Sequence, residues 1–258
     1  MRWRKSFING TFGDKTVIIT TGIIDRPTRV VMLFHGVHSN ASSEPGNKYA
    51  RIGLALAKNG VLPVLVETSR IIRNRSDYQN DPLGWVFGAF KGKTFEDELN
   101  DCANALSATS ALYSTLPITL WGVSLGGLSA LLMAGGYTGN VPPQVDSLII
   151  CGSGDSVYPQ NMDMFKLPIL DTLGNDLSIL AKTAGHLNLK WARAFRGTQD
   201  STFPSEACRH IFDAMSVTDK EYYEIEGSDH SFRFMNGQAS RRPLKEVYKR
   251  LPQIFSEI

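Results

Sequence analysis

A tight glycine–serine turn between a short apolar strand and an apolar helix constrains this chain more than any other stretch. Ile118 to Trp121 reads as the strand, Leu125 to Ala134 as the helix, and Gly122-Val123-Ser124-Leu125-Gly126 joins them. So short a turn forces the serine backbone into a strained conformation, and only residues without a side chain fit on either side of it. The strain lifts the Ser124 hydroxyl clear of the sheet edge, with the helix N-terminus behind it. With 23 glycines in 258 residues, the bare Gly-x-Ser-x-Gly pattern is weak. Its weight comes from what accompanies it along the chain.

Residues 2–9 and 15–24 read as two strands separated by a Gly10/Gly13 turn. Val30 to Phe34 is a continuous apolar run, as expected of a strand buried on both faces of a parallel sheet. A helix from about Lys48 carries Tyr49, Ile52 and Leu56 on one face and stops at Gly60. Leu62 to Val66 is the next buried strand. A long connection over 68–93 then carries Arg70, Arg73 and Arg75 and the apolar segment Leu83 to Phe90. Thr94 and Asp97 open a helix with a capping-box pattern, and Phe95, Leu99, Cys102 and Leu106 form its stripe. Strands follow at Val145 to Cys151, Lys190 to Phe195 and Tyr222 to Ile225, with helices over Ser205 to Met215 and about Ser240 to Phe255. There is no internal repeat, low-complexity tract or linker. The alternation after residue 30 predicts a single α/β domain with one mostly parallel sheet and helices on both faces.

Residues 153–190 are too long for an ordinary connection of about 2–6 residues. They hold an apolar patch (Met162, Met164, Phe165, Leu167, Ile169, Leu170) and a helix around Asp176 to Lys182. We read them as a small cap insertion over the site, a surface excursion with its own satellite core being the alternative.

Hydrophobic residues make up 42% of the chain and charged residues 20%, which suits a globular protein with a sizeable core. A net charge of +2 favours no nucleic-acid partner. Cys102, Cys151 and Cys208 are scattered, which reads as buried thiols in a reducing compartment. No apolar run follows the basic first residues and none reaches the length of a membrane span, so a cytoplasmic enzyme is the default. No metal motif is present, and Gly152-Ser153-Gly154 lacks the third glycine of a dinucleotide fingerprint. No cofactor and no metal are expected.

Catalytic groups in such sheets gather at the carboxyl ends of the strands. Four features fall there: His35-Gly36-Val37, Ser124, Asp200 and His230, each after a different apolar strand. A serine hydroxyl is a poor nucleophile at neutral pH and needs a base. A histidine suits that task, with a carboxylate behind it to fix the tautomer. The oxyanion of a tetrahedral intermediate needs backbone N–H donors, for which Leu125 and Val37 are the candidates.

On these residues the chain resembles the α/β-hydrolase family, from the strand ending at His35-Gly36 to the last helix. The motifs run in the family's order, Ser124, Asp200, His230, and Gly197-Thr-Gln-Asp200-Ser-Thr-Phe-Pro204 is similar to the family's acid loop. The resemblance implies an α/β-hydrolase fold with a catalytic triad of Ser124, Asp200 and His230. Two stretches depart from the family's pattern. The first loop is His-Gly-Val-His rather than His-Gly-Gly-Gly, and the strand after residue 61 ends in Glu67-Thr-Ser-Arg70.

Several residues carry competing readings. Asp155 competes with Asp200 for the acid's place, while Asp229 reads as a solvated loop carboxylate. His35 ties down its own loop, His210 is structural, His186 lies in the insertion and His38 is a possible pocket residue. Leu83 to Phe90 either lines a pocket or packs on the body. Arg70, Arg73 and Arg75 form a basic loop, solvated by default, that could meet an anionic group. The function expected is hydrolysis of a small-molecule carboxylic ester through an acyl-enzyme. A thioesterase, an amidase or aminopeptidase, and an acyltransferase would use the same triad, and a non-catalytic binding protein would need none of it.

Overall fold

The computed structural model describes residues 1–37, 39–78, 81–160, 169 and 178–256. Eight strands form one sheet: β1 (Arg2–Asn9), β2 (Thr16–Ile23), β3 (Arg29–Phe34), β4 (Val61–Glu67), β5 (Ile118–Val123), β6 (Val145–Cys151), β7 (Trp191–Gly197) and β8 (Asp219–Ile225). Their order is β1-β2-β4-β3-β5-β6-β7-β8. β2 is antiparallel to both β1 and β4, and every other neighbouring pair is parallel.

The apolar runs become inner strands because both their faces are covered. Every residue of β3, β5, β6 and β7 is buried. Val30, Met32 and Phe34 point to one face, where α3 (Phe95–Leu112) and α4 (Leu125–Ala134) pack. Val31 and Leu33 point to the other, against Tyr49, Ile52 and Leu56 of α1 (Lys48–Ala57). The closing helix, Arg242–Ser256, adds Leu244, Val247 and Leu251 to that second core. Residues Pro82–Ala89, whose conformation the sequence left open, form helix α2 and send Trp85, Val86 and Ala89 into the first core.

Chain order places the crevice. After β3 the chain steps outward to β4, then returns across β3 to β5 on its other side. The loops leaving β3 and β5 therefore diverge at the carboxyl ends of adjacent strands, the usual place for a ligand in such a sheet.

Residues 161–168 and 170–177 of the proposed cap lie outside the described residues, Met162, Met164, Phe165, Leu167 and Leu170 among them. Of its described part, Ile169 and α5 (Ser178–Ala184), through Leu180 and Ala184, join the first core. One element went unread in the sequence. Phe234–Met235 and Gln238–Ala239 form an antiparallel hairpin, β9 and β10, through Asn236 and Gly237. Both turn residues have positive φ, 51° and 76°, as a two-residue hairpin turn requires.

The basic connection after β4 is not a solvated loop at its start. Arg70 is fully buried, stacked 5.0 Å from the Phe90 ring, with Glu67 at 3.6 Å. Arg73 pairs with Asp14 and Glu67. Beneath them Lys93, also fully buried, lies 2.6 Å from Glu98 and 2.9 Å from Asp101. His35 ties this frame to β3. Its Nδ1–H donates to the Gly36 carbonyl at 2.8 Å, while Nε2 lies 3.2 Å from both the Thr68 hydroxyl and the Arg70 guanidinium. Because guanidinium nitrogens only donate, Nε2 carries no proton and the ring is neutral. Burial is the main cause that lowers the His35 pKa to about 4; Glu98 opposes it and Arg70 adds to it.

Two predictions concern this frame. The α3 capping box is complete, with the Thr94 hydroxyl accepting from Asp97 N–H and the Asp97 carboxylate from Thr94 N–H. Thr94→Ala should cost about 1 kcal/mol of stability in chemical denaturation. The second concerns pH. Unfolded His35 titrates near 6.5 and folded His35 near 4, so between those values the unfolded chain binds more protons and stability falls as pH falls. From about pH 7 to about pH 5 the loss from this group is on the order of 2 kcal/mol. His35→Gln should flatten the urea midpoint's pH dependence over that range. An unchanged slope would show that His35 is not the titrating group.

Candidate active site

The β5–α4 turn has the strain that its sequence demands. Ser124 sits at φ 56° and ψ −123°, a conformation rarely adopted by a residue with a side chain. Its flanking glycines permit this. A Cβ on Gly122 would stand 2.0 Å from the Gly126 carbonyl oxygen, and one on Gly126 would stand 2.5 Å from the Phe34 carbonyl oxygen. Ser124 N–H donates to the Cys151 carbonyl at 2.8 Å, and the Ser153 hydroxyl donates to the Ser124 carbonyl at the same distance. Both neighbours lie at or just beyond the end of β6, which pins the turn on its second side.

The loop after β3 lies against this serine. A Cβ on Gly36 would be 3.1 Å from Ser124 Cβ. Tyr49, fully buried on α1, accepts from Gly36 N–H at 3.3 Å and so supports the loop from below. Burial pushes the Tyr49 phenol well up, so it remains protonated. Val37 is buried beside Ser124, and Leu125 is the first residue of α4. Among the described residues neither the Val37 nor the Leu125 N–H has a hydrogen-bond acceptor.

Asp200 and His230 come together from loops that follow β7 and β8. His230 Nδ1 lies 2.8 Å from Asp200 Oδ2. The other carboxylate oxygen accepts from Thr202 N–H at 2.8 Å and Phe203 N–H at 3.1 Å, so the buried Asp200 is held on both sides. The His230 ring packs against Phe203, centroids 5.5 Å apart, and its side chain remains 23% exposed. Gly152 lets the pair in, since a Cβ there would be 3.1 Å from His230 Nδ1. The β9–β10 hairpin braces the histidine loop: Asp229 N–H donates to the Phe234 carbonyl, and Asn236 N–H to the Gly227 carbonyl.

Ser124 and His230 line one cavity of about 310 Å³ with Gly36 and Val37. Among the described residues the Ser124 hydroxyl makes no hydrogen bond.

The competing candidates fall elsewhere. Asp155 hydrogen-bonds His210, not His230. Asp229 is not a solvated carboxylate, because its oxygens accept from Ser231 Oγ, Arg233 N–H and Phe234 N–H and shape the loop. Those bonds also lower its pKa against the opposing effect of burial. His186 Nδ1 lies 2.6 Å from the Lys182 carbonyl oxygen, and His38 is outside the described residues. Trp85, Val86, Ala89 and Phe90 pack into the core and line no part of this cavity. Sequence reading missed Lys48, Thr202 and Arg233, which do line it. Only Lys48 carried a signal, as the first residue of a helix capped by Asn47.

No family model and no curated protein sequence matches the chain. Solved structures do. A highly thermostable carboxyl esterase from Bacillus coagulans, in complex with glycerol, is similar at TM-score 0.70 and 14% identity, over 100% of this chain and 99% of its own. A soluble variant of the Saccharomyces cerevisiae monoglyceride lipase, bound to a substrate analog, gives 0.69 and 14%, over 100% and 95%. Est1E from Butyrivibrio proteoclasticus gives 0.67 and 14%, over 98% of each chain. Likeness at such low identity speaks for architecture, and it spans the whole sheet and its helices. The chain has the α/β-hydrolase fold.

Proposed function

We propose that this chain is a serine hydrolase that cleaves carboxylic esters through an acyl-enzyme on Ser124. The observation that carries this reading is the His230–Asp200 pair at 2.8 Å, whose histidine lines the same cavity as a serine held at positive φ. Ser124 Oγ attacks the ester carbonyl carbon as His230 Nε2 takes its proton. Asp200 accepts from the Nδ1–H that the imidazole already carries, which leaves Nε2 free to take the serine proton, and stabilises the imidazolium that forms. Val37 and Leu125 N–H hold the oxyanion, the second aided by the N-terminus of α4.

Collapse of the intermediate expels the alcohol, which takes the proton back from His230. Water then attacks the acyl-enzyme with His230 again as base, and the carboxylic acid leaves as Ser124 recovers its proton. An ester is an easier substrate than an amide for this machinery because an alkoxide leaves more readily than an amide nitrogen. Asp200 is preferred to Asp155 as the acid because only Asp200 reaches the His230 ring. The reducing, cytoplasmic setting rests on three buried, unpaired cysteines.

Two measurements test the reading. Hydrolysis of p-nitrophenyl esters from acetyl to palmitoyl should show a preferred chain length, and Ser124→Ala should lower kcat by about 10⁴–10⁶. A fluorophosphonate should label the wild-type chain at Ser124 and leave the variant unlabelled. Labelling without ester turnover would favour a thioesterase, amidase or acyltransferase; neither would favour a non-catalytic binding protein. Asp200→Asn should lower kcat by roughly 10⁴ while keeping the fold, because the asparagine favours the wrong tautomer. A loss below tenfold would remove Asp200 from the mechanism.

A further inference from the structure

A second, larger cavity, of about 600 Å³, adjoins the one that holds Ser124 and His230. Lys48 and Arg233 line both, so the two cavities meet at these side chains. Arg51, Arg75 and Arg241 complete a basic lining opposed, among the described residues, by one carboxylate, Glu44. The chain as a whole has 27 basic and 25 acidic residues, so this excess is local.

What sets these arginines apart is their place around one concavity, since among the described residues Arg2, Arg4, Arg209 and Arg250 likewise have no carboxylate within 4 Å. Arg29, Arg70, Arg73, Arg193 and Arg196 each have a carboxylate within 4 Å. Among the described residues Arg51, Arg75, Arg233 and Arg241 have none. Arg75 is instead held 3.8 Å above the Trp85 ring, with one nitrogen 3.3 Å from Asn40 Oδ1. The nearby Asp229 is already occupied by Ser231 and two backbone donors.

Two further features preorganise the basic side chains. Lys48 is buried, and its amine reaches the Ser231 carbonyl at 3.4 Å, one residue beyond His230. Burial, and then Arg233, lower its pKa to about 8, although Asp229 pulls the other way. An anion between Lys48 and Arg233 would relieve both effects. Phe232 is buried at φ 57°, a left-handed conformation that a bulky residue adopts only where its surroundings enforce it. That turn sets Arg233 at the junction of the two cavities.

A row of exposed arginines is ordinarily a solvated face. Here they line a concavity next to the one that holds Ser124, and such clefts focus potential and bind oxyanions, for which the guanidinium fork is shaped. We propose that the substrate is an ester that also bears an oxyanionic group, a carboxylate or a phosphate, bound by Lys48, Arg51, Arg75, Arg233 and Arg241 while its carbonyl lies at Ser124. This rests on the ester-hydrolase reading.

The test is a binding measurement on Ser124→Ala, so that it does not depend on turnover. Three esters are titrated by calorimetry: neutral p-nitrophenyl hexanoate, p-nitrophenyl hydrogen adipate with the charge on the acyl side, and p-carboxyphenyl hexanoate with the charge on the alcohol side. At least one anionic ester should bind about tenfold or more tightly than the neutral one, and the gap should narrow at about 0.5 M NaCl. Arg51→Ala with Arg241→Ala should weaken the anionic ester more than the neutral one. Arg2→Ala with Arg4→Ala, on the edge strand β1, removes the same charge and should not.

Which anionic ester wins tells which side of the scissile bond faces the basic cavity. Equal affinities, no binding of any ester, or a gap untouched by the arginine substitutions would overturn the proposal. Fluorophosphonate labelling of wild-type Ser124 reports separately on the hydrolase reading, so that either can fail alone.

Discussion

Close backbone approach between the β5–α4 turn and the end of β3 is the constraint on which the rest of the site depends. Gly126 packs where a Cβ would meet the carbonyls of Phe34 and His35, and Gly36 packs against Ser124 in return. Two strand ends are thereby locked at backbone distance, with no side chain free to prise them apart. The strained serine and the N–H groups of Val37 and Leu125 become parts of one rigid unit. Strain at Ser124 persists because Cys151 and Ser153 hold its backbone from the β6 side.

Behind that unit stands a frame that is polar and buried. His35, Arg70, Lys93, Glu98 and Asp101 are all withdrawn from water, and each has a charged or hydrogen-bonding neighbour. Such groups add little net stability, because desolvation offsets most of the Coulomb attraction. Their geometry matters more. The Thr68 carbonyl, Ser69 and the ring of His35 are fixed in one arrangement, so the loop that leaves β3 starts in one direction. A neutral His35 suits this role, since a charged ring would face the Arg70 guanidinium. On the far side, Asp229 and the β9–β10 hairpin do the same for the His230 loop.

The architecture was legible because burial leaves a plain signature. Val30 to Phe34 and Val145 to Cys151 are apolar without alternation, and each became a strand covered on both faces. Thr94 and Asp97 announced a helix start by local hydrogen bonding that needs no tertiary partner. The hairpin at Phe234 to Ala239 carried an Asn-Gly turn in plain view, yet its strands are too short for any periodicity to mark them. Arg70 was misread for a different reason. Nothing next to it in sequence says that Phe90, Trp85 and Glu67 will enclose it.

The sequence alone determined the order of strands and helices, the strained turn at Ser124 and the short list of candidate residues. Those properties arise from local backbone sterics and from apolar patterning, which a linear chain records. Only the tertiary structure decided that Asp200 rather than Asp155 meets His230, and that Lys48 and Arg233 border the serine. It also decided that Arg51, Arg75, Arg233 and Arg241 share one concavity with a single carboxylate, Glu44, among the described residues that line it. Pairings of that kind depend on which loops the sheet order brings to one edge, and no stretch of sequence carries that order by itself.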